Sequence, residues 1–221
     1  EHFMPAFERG MSLHEAEIDA ITSNKDEATF ENTILAYDDA GQMLAQTELV
    51  FGMLCAAETN DRMQALQEQA MPLLAAHRDK IRLDDKLFVR VKEVYDRRAA
   101  LGLDAEQMRL LQKTYDSFVR AGALLDAEQK ARLKEINGQL SLTAVKFGNN
   151  ILAENNNFVL ELKSDELDGL PAGIRDAARE KAQQMGKGDK WVFTLHKPSL
   201  IPLLTYSTRR LAGALAVYNR G

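Results

Sequence analysis

Alanine and leucine far outnumber the β-branched aliphatic residues in this chain. The 221 residues include 29 Ala and 30 Leu but only 9 Val and 8 Ile. Ala and Leu lose little conformational freedom in a helix, whereas the stiff β-branched side chains suit strands. The composition therefore predicts a mainly α-helical fold.

Charge and hydrophobic content restrict the class of protein. Hydrophobic residues make up 45% of the chain, which indicates a folded protein, and 33 acidic against 28 basic residues give a net charge of −5. A general nucleic-acid-binding protein usually carries a basic excess, so we expect no nucleic-acid partner. The single cysteine, Cys55, excludes an internal disulfide framework. Apolar runs in the sequence are only a few residues long, so we expect neither a membrane-spanning segment nor a signal peptide.

Apolar residues recur every three or four positions over most of the chain, which predicts long helices. A first helix is predicted over residues 5–21. Thr29 is a good N-cap for a second helix, which is predicted to run from Phe30 to about Glu58. Pro72 lies inside a later helical pattern and is predicted to kink that helix or to mark its restart, since proline removes a backbone donor.

The tetrapeptide Asp-Ala-Glu-Gln occurs twice, at 104–107 and 126–129, and has the pattern of a capping box. The Asp side chain can accept from the third helical N–H while the Gln side chain reaches back to the N-cap. The second box is predicted to open a helix that extends to about Glu154. A final helix is predicted over about 208–218.

Two short apolar segments, 158–162 and 191–195, have the composition of strands and flank a helical segment at about 172–185. They could pair as a ribbon, which would have to pack on helices to be stable. The predicted fold class is mainly α, a long-helix bundle with a small two-stranded β-ribbon near the C-terminus. The predicted domains are a helical bundle over 1–154, the β-ribbon with its inserted helix over 155–196, and a connecting segment over 197–221.

The histidines are the first candidates for a metal site. His14-Glu-Ala-Glu-Ile18 begins like a zinc-peptidase helix, but the second histidine that the motif requires four residues on is replaced by Ile18. One imidazole cannot hold a structural or catalytic zinc ion, so His14 is interpreted as an ordinary surface histidine. His77 and His196 have no His or Cys beside them in the sequence and are interpreted as solvated or hydrogen-bonded.

The remaining reactive side chains have structural explanations. Cys55 lies between apolar neighbours with no nearby cation to lower its pKa, so it is interpreted as core filling. The acidic pairs at 38–39 and 84–85 are better explained by helix capping and solvation than by acid–base catalysis. The residues alone therefore predict no catalytic residue and no metal ligand.

Short segments spread along the whole chain occur in a distinctive order. The segments are HFMPAF at 2–7, AEIDAI at 16–21, FENTIL at 30–35, AETND at 57–61, RRAALGLD at 97–104, FVRAGALL at 118–125, WVFTL at 191–195 and YSTRR at 206–210. Together they resemble the N-terminal part of bacterial peptidyl-dipeptidases (dipeptidyl carboxypeptidases), zinc metallopeptidases of the family that includes thimet oligopeptidase, neurolysin and oligopeptidase A.

The resemblance implies a zinc enzyme that removes C-terminal dipeptides from oligopeptides, with a helical, neurolysin-like fold of two lobes around a deep channel. The zinc-binding His-Glu-x-x-His helix of the family lies in the C-terminal part and has no counterpart in this sequence. The chain would then be the N-terminal lobe, a channel wall whose partners are the catalytic lobe and the oligopeptide. Zinc is expected in the longer enzyme, while this chain alone is expected to hold no stoichiometric zinc and to be inactive.

The same resemblance leads us to expect an interlobe or channel-wall surface near the C-terminus, which in isolation could self-associate. The competing hypothesis is a helical interaction or scaffold domain with no enzymatic activity. We expect a cytoplasmic location, with the periplasm as the alternative. The residues of the expected surface are Leu200, Leu203, Leu204, Tyr206, Arg209, Arg210, Leu211, Leu215 and Tyr218.

Overall fold

The computed structural model describes residues 2–208. The chain divides into two compact units, Glu1–Lys146 and Phe147–Gly221. The predicted division at 154/155 and 196/197 stays a prediction.

Helices dominate the first unit, which confirms the predicted fold class. A π-helix, Phe30–Leu35, and a short 3₁₀-helix, Arg98–Ala100, join the α-helices. The α-helices are α1 Phe3–Ser23, α2 Ala36–Asp39, α3 Gln42–Ala57, α4 Asp61–Arg82, α5 Asp85–Asp96, α6 Ala105–Arg120 and α7 Ala127–Asn157. Residues 147–157 of α7 are assigned to the second unit.

The predicted helix starts are confirmed by their hydrogen bonds. The backbone N–H of Asn32 donates to Thr29 Oγ1 at 3.1 Å, and the Asn32 side chain accepts from the Thr29 N–H at 2.8 Å. The boxes at 104–107 and 126–129 make the same reciprocal pair of bonds between Asp and Gln. Each box satisfies backbone donors that a helix start otherwise leaves open.

The prediction of one uninterrupted helix from Phe30 to Glu58 is wrong, because the chain turns at Gly41. Gly41 has φ +77°, a left-handed conformation that a residue with a Cβ adopts only at a cost. Its N–H donates to Glu17 Oε2 on α1 at 2.7 Å. A Cβ at this position would lie 2.9 Å from His14 Nδ1, so the turn also requires glycine for space.

Helix α4 does not restart at Pro72. The helix runs from Asp61 to Arg82 with Pro72 inside it, at the loss of one backbone hydrogen bond. Ala70 and Leu74, on either side of the proline, are buried in the core. Packing of this face holds the helix together through a residue that local sequence alone treats as a break.

Two hydrophobic clusters form the core of the first unit. One joins α1, the π-helix, α5 and α6 around Ile34, Leu87 and Phe118. The other joins α1, α3 and α4, where the Phe7 ring meets the edge of Phe51 at a centroid distance of 5.3 Å. Here α1 and α3 approach so closely that a Cβ on Gly10 would lie 3.0 Å from the Leu44 Cα.

In the second unit a short ribbon packs with helices, as predicted. Strands β1 Leu160–Leu162 and β2 Trp191–Phe193 are antiparallel, with Leu160 opposite Phe193 and Leu162 opposite Trp191. Both strands are shorter than the predicted 158–162 and 191–195. Helices α8 Ala172–Gln184 and α9 Lys197–Tyr206 complete the unit. Its core consists of Leu162, Leu167, Leu170, Ala178, Phe193 and Leu203.

The end of α9 is fixed against a turn at Gly169. Gly169 has φ +83°, and a Cβ there would overlap the carbonyl oxygen of Tyr206. Thr208 Oγ1 donates to Asp168 Oδ2 at 2.7 Å, and the Thr208 N–H donates to the Asp168 carbonyl at 3.3 Å. Beyond Thr208, the predicted helix over 208–218 lies outside the described residues.

Within residues 2–208 no helix is both long enough and apolar enough to cross a membrane.

We predict that Gly10→Ala destabilises the first unit whereas Gly52→Ala does not. The new methyl at position 10 meets the α3 backbone and should cost about 1–3 kcal/mol by overpacking. A Cβ added at position 52, inside α3, would have no neighbouring side chain or other segment within 4 Å. Alanine there should therefore raise the free energy of unfolding by about 0.5–1 kcal/mol through its helix propensity. Urea midpoints followed by far-UV circular dichroism measure both. Equal gains in the two variants would contradict the close approach of α1 and α3.

We predict that Gly169→Ala destabilises the second unit more than Gly186→Ala. Both glycines have positive φ, so each alanine should cost about 1–2 kcal/mol in backbone conformation. Only the methyl at position 169 also overlaps backbone, since position 186 has open space around it. Trp191, the single tryptophan, lies in β2 and reports on this unit by fluorescence during urea unfolding. Equal midpoints would refute the contact between Gly169 and Tyr206.

Candidate functional site

Two histidines that are 63 residues apart meet between α1 and α4. His77 Nε2 lies 3.0 Å from His14 Nδ1, and the two ring centroids are 5.0 Å apart. His77 is buried and His14 is partly buried. The interpretation of His14 as an ordinary surface histidine is therefore wrong, and His77 is hydrogen-bonded as expected. The pairing depends on how two helices pack, which local sequence does not reveal.

The carboxylates around this pair are already engaged by cations or backbone. Glu15 Oε1 lies 3.5 Å from His77 Nδ1, while its other oxygen is 2.9 Å from Lys80 Nζ. Glu48 accepts from Arg78 Nη2 at 2.6 Å. Glu17 accepts from the backbone at the Gly41 turn. Each carboxylate near the histidine pair is thus already paired with a cation or with a backbone N–H.

Burial lowers the pKa of both histidines. For His14 the charge of His77 lowers the pKa further, while Glu17, Glu15 and Glu48 oppose the shift. For His77 burial is again the main cause, and Glu15 raises the pKa in part. A hydrogen bond with Lys80 holds the pKa of Glu15 below its usual value. These shifts favour the neutral form of both rings, and the 3.0 Å between the facing nitrogens fits one hydrogen bond between the two rings.

A cleft of about 520 Å³ opens beside the pair. The polar residues that line the cleft include His14, His77 and Glu48. Its apolar lining includes Leu44, Leu49 and Ile81. A protein zinc site requires at least three ligand side chains. Among residues 2–208 no three His, Cys, Asp or Glu side chains are arranged to hold a metal ion, so the part of the chain that the structure describes does not fit a zinc centre.

The other reactive residues have structural roles. Burial raises the pKa of the Cys55 thiol, which packs against the cluster of Phe7 and Phe51 and is a poor nucleophile. Asp84 caps α5 by accepting from the Leu87 N–H at 2.8 Å. The carboxylate of Asp85 pairs with the buried Lys130. His196 is exposed at the start of α9.

The described part of the predicted C-terminal surface is divided between core and solvent. Leu203 is fully buried in the core of its own unit, and Leu200 packs against that core. Leu204 and Tyr206 are 43% and 50% exposed. The remaining residues of that prediction, Arg209, Arg210, Leu211, Leu215 and Tyr218, lie outside the described residues.

Exposed apolar residues that the sequence reasoning did not single out lie on α3 and α7. On α7 they are Ile136 and Leu140 in the first unit and Phe147 and Ile151 in the second. The signal for α3 was present in the sequence, since Glu48 is the only charged residue among its sixteen. The side chains on α3 are Met43, Leu49, Val50, Met53 and Leu54.

We predict that the histidine pair makes the first unit less stable as the pH falls below about 6.5, the ordinary histidine pKa. Because the folded pKa values are lowered, the unfolded chain binds more protons in this range. The contribution is complete above the ordinary pKa and is lost as the pH falls toward the folded values. Urea midpoints by circular dichroism at pH 7.5 and 5.5 measure the change.

Matched variants separate this effect from other titrations. His77→Gln and His14→Gln should each reduce the loss of stability between pH 7.5 and 5.5, whatever their stability at pH 7.5. His196→Gln removes an exposed histidine and should leave the pH dependence unchanged. An unchanged pH dependence in both of the first two variants would refute the prediction.

Known proteins are similar to this chain over nearly its whole length, although no family model matches it. The dipeptidyl carboxypeptidase of Escherichia coli is 37% identical over 213 residues, and that of Salmonella typhimurium is 35% identical over 213 residues. Both alignments cover 94% of this chain and 31% of the relative. A thimet-like oligopeptidase of Dictyostelium discoideum is 23% identical over 212 residues.

The chain therefore spans about a third of the length of the curated relatives it matches. The order of segments from which the resemblance was inferred is confirmed by these alignments. The chain is a homologue of the dipeptidyl carboxypeptidases and corresponds to their N-terminal part.

Proposed function

We propose that the chain is the N-terminal, non-catalytic part of a zinc-dependent peptidyl-dipeptidase that removes C-terminal dipeptides from oligopeptides. The observation that carries the proposal is the 37% identity to a dipeptidyl carboxypeptidase over 94% of this chain. The matched region is only 31% of that relative, which leaves most of the relative's length for a catalytic part.

The chemistry of the described residues supports this division of labour. Hydrolysis by a zinc enzyme needs a metal held by about three protein ligands with an open position for water. Residues 2–208 offer no group of three such ligands. In this proposal zinc and water activation come from the region that follows in the longer protein, and this chain supplies a helical wall of the substrate channel.

A wall of this kind has to keep its shape when a peptide passes along it. The first unit has features of this kind, because helix starts such as those at Thr29 and Asp104 are capped and its core includes the fully buried rings of Phe7, Phe51 and Phe118. Close-packed interiors resist deformation. The scaffold alternative would explain the same helices, but the identity to peptidases favours the enzyme.

We predict that the complete open reading frame encodes a His-Glu-x-x-His segment after residue 221 and that its product releases dipeptides from a blocked tripeptide. A chelator should abolish the release and added zinc should restore it. The 221-residue chain alone should release none and should hold no stoichiometric zinc by elemental analysis. A complete product without chelator-sensitive activity, or chelator-sensitive hydrolysis by the 221-residue chain, would refute the proposal.

A further inference from the structure

Helix α3 is apolar on two opposite sides. Its sixteen residues include one charged side chain, Glu48. On one side, Leu44 and Phe51 are buried against α1 and α4. On the other side, Leu49 is 65% exposed and Met53 is 63% exposed. A helix that is hydrophobic all round is typical of one that is buried all round.

The exposed apolar side chains form a strip on one side of the helix, which we call the α3 outer face: Met43, Leu49, Val50, Met53 and Leu54. The uncharged, exposed Gln46 lies among them. With about 100° between successive residues of an α-helix, these five positions span roughly 140° of its circumference. The strip lies opposite the buried residues Leu44 and Phe51. Its five large side chains together offer an apolar surface to a partner.

Helix α6 of the same unit shows the usual alternative. Its inner face is buried through Leu111 and Phe118, and none of its large apolar side chains is among the exposed ones. Its outer positions, including Arg109, Lys113 and Ser117, are polar and exposed. The apolar outer face of α3 is therefore not shared by every helix of the unit, although α7 also exposes Ile136 and Leu140.

The single charge on α3 does not oppose an apolar contact. The Glu48 carboxylate accepts from Arg78 on α4 at 2.6 Å, so its charge is compensated within this unit. Burying an uncompensated carboxylate would be costly, whereas burying the outer face removes mainly apolar surface and no charged group from water. Methionine at positions 43 and 53 also adapts readily to an irregular partner surface.

We infer that the α3 outer face is the docking surface for an apolar patch of the same polypeptide, in the region that follows residue 221. This inference rests on the proposed function, since it requires a longer chain. The dipeptidyl carboxypeptidases are about three times as long as the region they share with this chain. A region of that size is large enough to cover the strip, and its covalent attachment makes it the partner at highest effective concentration. The docking surface lies on α3, far along the sequence from the predicted surface at 200–218.

The test uses the complete polypeptide, with Cys55 replaced by serine and one new cysteine at a time. Leu49→Cys and Met53→Cys place a thiol on the outer face, and Ser117→Cys places one on the exposed side of α6. The rate of alkylation by iodoacetamide is followed by peptide mass spectrometry and divided by the rate in guanidinium. We expect positions 49 and 53 to be protected at least about tenfold relative to position 117, because a covered thiol reacts only when the contact opens.

A photo-crosslinking residue at position 53 identifies what covers the strip. We expect cross-links to peptides that follow residue 221 in the same molecule, unchanged on dilution. Alkylation at 49 and 53 as fast as at 117 would overturn the inference, as would cross-links within residues 1–221 or between two molecules. These results are independent of activity: an active polypeptide with an open α3 strip refutes the docking surface alone, and an inactive one with a protected strip refutes the peptidase.

Discussion

The packing of α1 on its neighbours in the first unit is the interaction on which the rest of that unit depends. Phe7, Gly10, His14 and Glu17 follow one another along a single stripe of α1. Phe7 enters the aromatic cluster, and Gly10 allows the close approach to α3. His14 and Glu17 then meet the Gly41 turn, where α3 begins. A wider separation of α1 and α3 would disturb the core, the turn and the histidine pair together.

The packing of α1 also determines which protonation state of the histidine pair is favoured. Two rings with facing nitrogens 3.0 Å apart accommodate one proton between them, and protonation of both rings would bring two cations into contact. The surrounding carboxylates relieve this only in part, because Lys80, Arg78 and the Gly41 backbone already bind them. The packing of the first unit therefore favours the neutral pair.

Much of the fold could be predicted because the signals were local. The capping residues Thr29 and Asp104 act within three residues of themselves, and the apolar period is a property of each helix. The Gly41 turn could not be predicted in the same way, since its cause is the proximity of Glu17 and His14 on another helix. Pro72 is the opposite case, in which tertiary packing overrides a local break.

The site shows the same limit of sequence reasoning. The zinc-peptidase motif at His14 is rejected on spacing alone, because the motif requires two histidines four residues apart on one helix face and Ile18 stands at the second position. The partner of His14 was missed because it lies 63 residues away. The apolar strip on α3 was visible in the sequence, but only the structure separates its buried side from its exposed one. Leu203 illustrates the converse, since it was predicted to lie on the C-terminal surface yet is buried in the core of its own unit.

The turn at Asp168 and Gly169 has a mechanical consequence. The turn binds Thr208 through both its hydroxyl and its backbone N–H. These two bonds fix the position and direction of the backbone where it leaves α9. The point at which the chain leaves α9 is therefore fixed by residues that precede α8 and not by α9 alone.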